Sequence, residues 1–345
     1  MKISVIVPCY NTESIVERSI NAIFNQTLSK SEYEVIVVDD ASTDSMQLKL
    51  QELKGKFTFE YFRNVNNKGA ASTRNIAVSH AHNELIVFIQ DDIIVEKEFL
   101  EIHQKAHLIE VNNQNAEKRV VVGYTYWDQQ LKKTPFLDYL DKGQQFDYER
   151  FQQGDKAYAF DGAQLIPADH LLFYTSNISF KKSFFQSVGE FDEQFYVIPG
   201  VAAYEDTELG WRLKEQGMNI FFCPQARASH FHQRTLESMS KRRFAEGVLT
   251  HLLYKKHPNF SWRGDTQSFW YNLKRLKFAA LANTFRFWLV LLTSIIFNPI
   301  LLLPLEKIAH WAQYRLNVPL LYKIVLGYHY NVGYWTGKFK VKVKK

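Results

Sequence analysis

The chain opens on a β-branched run, Ile3–Val7, broken only by Ser4, of the kind a strand buried on both faces requires. Asn11 and Thr12 then offer helix-capping side chains ahead of Ile15, Val16, Ile20, Ile23 and Phe24, which share one face at helical spacing. The alternation repeats. Glu34–Val38 reads as a second buried strand ending in Asp39-Asp40, and Phe57, Phe59 and Tyr61 alternate with polar residues in a third. Asn67-Lys68-Gly69 turns into a helix over Ala70–Ala81. Leu85–Ile89 is a fourth strand running out into Asp91-Asp92, followed by a helix over Glu96–Glu110 and a strand over Arg119–Tyr126. Strands separated by helices predict an α/β domain, a mostly parallel sheet with helices on both faces. In such sheets ligands collect at the carboxyl ends of the strands, where both acidic pairs fall.

Periodicity weakens from Gln130 to about His170, where aromatic residues scatter through polar sequence. This segment reads as an insertion near the active face and not as a separate domain. After His232 the pattern changes again. Phe287–Leu305 holds 19 uncharged residues, interrupted by Asn298, Pro299 and Pro304. As one helix it would span about 28 Å, barely a bilayer core. Lys274, Arg275, Lys277 and Arg286 precede it; Lys307, Arg315, Lys323 and a lysine cluster over 338–345 follow. A single span would therefore leave one basic end on the wrong side of a membrane. The prolines and a second apolar stretch, Leu316–Leu326, predict helices lying in the membrane interface or a re-entrant hairpin. Packing of these helices on protein is the alternative.

Charge sharpens the division. The net +6 conceals 23 Lys+Arg against 32 Asp+Glu over 1–233, or −9, and 19 against 4 over 234–345, or +15. An acidic body with a basic tail points to an anionic partner for the tail. The basic residues accompany long apolar faces and no nucleic-acid reading module is recognisable, which favours a membrane surface over nucleic acid. With 46% apolar and 23% charged residues the chain is neither disordered nor collagen-like. Its two cysteines, Cys9 and Cys223, cannot build a disulfide framework and fit a reducing compartment. The apolar run after Lys2 is short, holds Pro8 and meets Asn11 and Glu13 at once, so it reads as a strand and not as an export signal. The expected location is cytoplasmic, peripheral or monotopic at the inner face of the cell membrane.

Two acidic pairs at neighbouring strand ends put several carboxylates near one crevice, which is costly unless a cation or a donor-bearing ligand is held there. At this point five segments resemble family 2 glycosyltransferases. Val5-Ile6-Val7-Pro8-Cys9-Tyr10-Asn11, Val37-Val38-Asp39-Asp40-Ala41-Ser42-Thr43-Asp44 and Asn67-Lys68-Gly69-Ala70-Ala71-Ser72-Thr73-Arg74-Asn75 are similar to the family's nucleotide half. Gly189-Glu190-Phe191-Asp192-Glu193 and Tyr204-Glu205-Asp206-Thr207-Glu208-Leu209-Gly210-Trp211-Arg212-Leu213 resemble its acceptor half. The resemblance covers roughly 1–235, in the family's order. It implies a GT-A fold and sugar transfer from a nucleotide donor with inversion. It further implies a catalytic domain over 1–235, with a nucleotide-binding half (1–127) and an acceptor half (128–235); the charge and hydropathy pattern adds a basic, apolar helical and membrane-associating region over 236–345.

Carried over by position, the resemblance makes Asp206 the general base, at the start of a helical pattern where helix capping would otherwise explain it. Pro8 and Tyr10 lie beside the nucleotide, Asp40 accepts a hydrogen bond from the base, usually uracil, and Arg74 reaches the base or diphosphate. The family's Asp-x-Asp metal motif reads Gln90-Asp91-Asp92 here. Asp92 keeps the ligand position, Gln90 departs from the motif, and Asp91 is assigned to donor binding. His230, after Pro224-Gln225-Ala226-Arg227-Ala228-Ser229, completes the metal site, with His232 as its neighbouring competitor. Carboxylate plus imidazole on a diphosphate-bridging ion suits Mn²⁺ or Mg²⁺. Asn177, Glu205 and Trp211 are expected to position acceptor or sugar. The expected function is metal-dependent transfer of sugar, from a UDP-sugar for preference, to a glycan or lipid-linked acceptor in surface polysaccharide synthesis. Gln90 keeps an inactive glycan- or partner-binding protein open. A nucleotidyltransferase is a further alternative, but it leaves Glu205-Asp206 unexplained.

Overall fold

A computed structural model describes residues 1–111, 115–142, 157–260 and 299–340. The strands are β1 (Ile3–Cys9), β2 (Tyr33–Asp39), β3 (Glu60–Arg63), β4 (Leu85–Ile89), β5 (Ile93–Val95), β6 (Arg119–Trp127), β7 (Tyr158–Phe160), β8 (Ala163–Pro167), β9 (Asn177–Lys181) and β10 (Asn219–His230). Among them run α1 (Glu13–Phe24), α2 (Met46–Lys54), α3 (Gly69–Ser79), α4 (Phe99–Leu108), α5 (Pro135–Lys142), α6 (Lys182–Ser187) and α7 (Glu205–Glu215). Three longer helices follow: α8 (Leu236–Lys256), α9 (Pro299–Ala312) and α10 (Pro319–Lys340).

The sheet order is β3-β2-β1-β4-β9-β6-β10-β8-β7, with β5 on β10. Parallel pairings join β3-β2-β1-β4 and β6-β10, while β9 enters antiparallel between β4 and β6. The inner strands are apolar at nearly every position because both faces are covered; Ser4 of β1 is a buried exception. Val5, Val7, Val35, Val37, Val87 and Ile89 meet α1, α2 and α4, through residues such as Val16, Leu50 and Phe99. Ile6, Ile36, Val38, Ile86 and Phe88 turn the other way, into a layer with Val78 of α3, Phe185 of α6 and Leu209 of α7. The expected parallel sheet with helices on both faces is thus present over the first four strands, and the sheet becomes mixed from β9 onward.

One local reading differs from the structure, and one helix had no reading. Phe57 and Phe59 precede β3; Phe57 stacks on Phe24 at 4.8 Å, so these rings seal the end of α1 from a loop. The polar-looking stretch 46–54 forms α2, because Met46, Leu50 and Leu53 recur at helical spacing and are buried.

The chain divides into two compact units, one from residues 1–131 and 146–232 and the other from 132–145 and 233–345. The start of the segment expected to be an insertion near the active face therefore groups with the C-terminal unit. Phe136 and Leu140 of α5 share a core there with Leu236, Met239, Tyr322 and Val325. In this unit α8 and α10 approach so closely that a Cβ on Gly333 would lie 2.0 Å from the Phe244 carbonyl oxygen. One on Gly337 would lie 2.5 Å from that of Val248, and one on Gly247 would lie 2.2 Å from that of Tyr330. Most of the apolar stretch Phe287–Leu305 and the basic residues 274–286 lie outside the described residues; its last seven positions open α9. Among the described residues no helix is long and apolar enough to cross a membrane.

Candidate active site

The first cluster forms where β1, β2 and β4 end side by side. In register, Pro8 stands opposite Val38 and Cys9 opposite Asp39, so Tyr10 and Asp40 leave adjacent strands together. Asp40 is buried and its carboxylate is engaged: Oδ1 accepts from Asn64 Nδ2 and the Lys68 N–H, and Oδ2 from the Gly69 N–H, each at 2.8 Å. It thereby ties the turn before α3 to β2. Gly69 is required there, because its φ is +85° and a Cβ would lie 2.4 Å from the Tyr196 ring. The Tyr196 hydroxyl donates to Asn67 Oδ1 at 2.7 Å, which makes Tyr196 a wall of this crevice. Asp39 faces away and accepts from Arg63 Nη1 and, at 2.8 Å, from the Ser42 N–H.

Asp91 accepts from the Tyr10 N–H at 2.9 Å and from the Thr12 hydroxyl, so it holds the turn that carries Tyr10. Burial, reinforced by the adjacent Asp92 charge, pushes its carboxyl up to about 8. Asp92 goes the other way: burial alone would raise it, but His230 and His232 outweigh that and hold it well below the usual carboxylate range.

Strand pairing delivers those histidines. β10 pairs with β5 so that His230 faces Ile93, the residue after Asp92, and with β6 so that His230 lies beside Trp127, whose ring stacks on the imidazole at 5.3 Å. His230 Nε2 lies 3.1 Å and His232 Nδ1 2.9 Å from Asp92 Oδ2. The ligand atoms of the three residues all lie within 4.8 Å of one another. Asp92 Oδ1 is buried without a hydrogen-bond partner. A carboxylate with one such oxygen, beside two imidazole nitrogens, fits a divalent cation, and His232 joins the site with His230. A second grouping, Glu34, Glu60 and His82, is more exposed, and Glu34 is already engaged by Ser4, His82 and Asn83.

The second cluster surrounds Asp206. Tyr204 adopts φ +67°, turning the chain so that α7 begins at Glu205-Asp206. Asp206 accepts from the Thr175 N–H and hydroxyl at 3.0 Å. Arg74 Nη1 lies 3.2 Å from Glu205 and 3.5 Å from Asp206, with the guanidinium over the Phe191 ring. Asn177 pairs with Ile89, so Thr175 and Ser176 run on past the carboxyl end of β4, the edge where Asp91 and Asp92 stand. The two clusters thus belong to one strand end. The Asp206 side chain is 22% exposed, against 4% for Glu205 and 2% for Arg74. Asp206 is the accessible member.

The structure also places four other residues of the expected site. Arg74 is buried against the two carboxylates of α7. Glu205 is buried and paired with Arg74. Asn177 is fully buried, donating to the Ala226 carbonyl at 2.9 Å and meeting His103 Nε2 at 2.9 Å, contacts that brace β9. Trp211 is buried against His170 and Lys214. Thr175 was missed, although it stands two residues from Asn177. Tyr196 carried no motif.

Residues 4–166 match the family model described as glycosyl transferase family 2. A Bacillus subtilis (strain 168) protein described as an uncharacterized glycosyltransferase, YfnE, is 28% identical over 64% of this chain and 62% of its own length. A poly(ribitol-phosphate) beta-glucosyltransferase from Bacillus spizizenii is 38% identical over 29% of this chain and 16% of its own length. The chain thus spans less than two thirds of the length of either relative. Among solved structures, the mannosyltransferase PcManGT from Pyrobaculum calidifontis, in complex with GDP-Man and Mn²⁺, superposes with a TM-score of 0.58 at 15% identity. That match covers 99% of this chain and 88% of the other, and it is a likeness of fold. The matched stretch begins in β1 and carries the Asp40 and Asp91-Asp92 strand ends, so over residues 4–166 the chain is similar to glycosyl transferase family 2.

Proposed function

We propose that this chain transfers a sugar from a UDP-sugar donor to a hydroxyl of a glycan or lipid-linked acceptor in surface polysaccharide synthesis, with inversion at the anomeric carbon. The observation that carries the reading is the accessible carboxylate of Asp206, fixed by Thr175 and Arg74 at the strand end that also presents Asp92, His230 and His232. Inversion in one displacement needs a base on the sugar face opposite the leaving diphosphate. Asp206 takes the acceptor hydroxyl's proton there, a contribution of about 10²–10⁴-fold. Thr175 and the Arg74–Glu205 pair keep its oxygens aimed. Tyr10 and Pro8 lie beside the nucleotide, with Tyr10 held by Asp91. Asp40 Oδ2, which accepts one internal bond, has a lone pair left for a base N–H.

Asp92, His230 and His232 would hold a divalent cation, Mn²⁺ ahead of Mg²⁺ because two of the three donors are imidazoles. When bound, the ion offsets charge developing on the diphosphate leaving group. The acceptor class is supported by the Bacillus spizizenii relative, named for a poly(ribitol-phosphate) acceptor. The basic C-terminal region would keep the enzyme at the inner face of the membrane.

The test is transfer of radiolabelled sugar from a panel of UDP- and GDP-sugars. Wild type should transfer with Mn²⁺ and stop in EDTA, and Asp206→Asn should lose about 10²-fold or more in kcat with donor KM little changed. Near wild-type turnover in Asp206→Asn would remove Asp206 as the base. Saturable glycan binding with neither transfer nor hydrolysis of any donor would point to an inactive binding protein.

A further inference from the structure

Of eleven large hydrophobic residues exposed in the described part of the chain, eight lie between Leu303 and Phe339. Their placement on α9 is ordered. Lys307, Ile308 and Trp311 are exposed, while Ala309, Ala312 and Gln313 are buried. At 3.6 residues per turn this separates one solvent-facing stripe from the side that packs into the unit's core. Tyr314 and Arg315 continue the stripe past the helix end, and Leu320, 72% exposed, and Lys323 carry it into the first turns of α10.

The chemistry of the stripe is selective. Its charges are all positive, and the Arg315 guanidinium lies 5.1 Å over the Trp311 ring, a cation resting on an amphipathic aromatic. Glu306 is the one acidic residue of α9 and α10, and it is drawn aside by His329 Nε2 at 3.0 Å. A self-complementary dimer through this face would set Lys307, Arg315 and Lys323 against their own copies, a repulsion that argues against a second copy as the occupant.

We infer that this face, α9 and the first turns of α10, seats the chain on an anionic lipid surface. Ile308, Trp311, Tyr314 and Leu320 enter the boundary between headgroups and acyl chains, and the three basic residues meet lipid phosphates. The inference rests on the proposal above that the C-terminal region meets a membrane, and it names the face.

The experiment is co-flotation of the full chain with phosphatidylcholine vesicles, with and without phosphatidylglycerol. Wild type should float with the anionic vesicles, more weakly as salt is raised. Lys307→Glu/Arg315→Glu/Lys323→Glu should bind about two orders of magnitude more weakly. Ile308→Ser/Trp311→Ser should lose the part of binding that survives high salt. Quenching of tryptophan fluorescence by brominated lipid should be strong in wild type and reduced in Trp311→Phe, a change too small to disturb folding. Flotation and quenching unchanged in all three variants would overturn the inference. So would a wild-type dimer in sedimentation that Ile308→Ser/Trp311→Ser converts to monomer. Transfer to a soluble acceptor, read on the same proteins, should stay at the wild-type rate. A chain that floats but transfers nothing would fail the catalytic proposal alone, and one that transfers but does not float would fail this one alone.

Discussion

Arg74→Met removes the cation that stands 3.2 Å from Glu205 and 3.5 Å from Asp206 while keeping an unbranched stem inside α3. Glu205 is then a carboxylate out of reach of water with its ion-pair partner gone. Deleting one partner of a buried pair costs about 3–5 kcal/mol. The partly exposed Asp206 adds little to that, because solvent screens it. For a unit of this size each kcal/mol lowers the melting temperature by about 2–4 °C, so a fall of roughly 10 °C is expected. Arg74→Lys keeps the charge, and since one nitrogen serves both carboxylates it should restore most of the melting temperature. It gives up the planar group over Phe191, so Asp206 is aimed less well. Calorimetry and initial rates at varied donor read both effects. A residue that positions Asp206 should lower kcat in Arg74→Lys and leave donor KM near wild type. An unchanged melting temperature in Arg74→Met, with donor KM raised about tenfold or more, would refute this reasoning and return Arg74 to the nucleotide.

Other outcomes follow from the same geometry. Asp92→Ala should abolish Mn²⁺ binding in calorimetry, and His232→Ala should weaken it; unchanged affinity in His232→Ala would reduce the site to Asp92 and His230. Asn177→Ala should destabilise the fold by about 3 kcal/mol in urea unfolding, by stripping partners from His103 and the Ala226 carbonyl, and leave donor KM unchanged. His103 is fully buried, and burial lowers it to about 4 from the usual 6.5. Between those values the unfolded chain binds more protons, so stability present above pH 6.5 should fall by about 3 kcal/mol as pH drops to 4. Unfolding midpoints that stay flat over that range would contradict the assignment.

The parallel half of the sheet was legible because strands covered on both faces are apolar at nearly every position, as Ile3–Val7, Ser4 apart, and Leu85–Ile89 are. β9 was not, since Asn177 and Ser179 look polar until His103 and His107 are seen to meet them from α4. The acidic strand ends were legible as chemistry, but the division of labour among them was not. Sequence order cannot tell that Asp40 and Asp91 are largely engaged by backbone N–H groups and a hydroxyl, whereas Asp92 keeps a free oxygen. Arg74 sits in a nucleotide-half segment 131 residues before Glu205, and only the packing of α3 against α7 reveals its partner. Thr175 lost out to Asn177 because an amide looks like a ligand-binding group; pairing with Ile89 buries the amide and leaves the threonine at the strand end.

The glycine contacts between α8 and α10 have a bearing on the surroundings this helix pair tolerates. Where Gly333 meets the Phe244 carbonyl and Gly337 that of Val248, main chain rests on main chain with no side chain between. Such a seam is held by dispersion between closely spaced atoms, not by driving water off bulky apolar groups. Its strength therefore depends little on whether the medium around it is water or hydrocarbon. A helix pair glued by large side chains would lose its cohesion as its surroundings became oily, because lipid would compete for the same surfaces. At the glycine seam, unlike at the end where Leu236 and Met239 meet Tyr322 and Val325, the contact would not be weakened in that way.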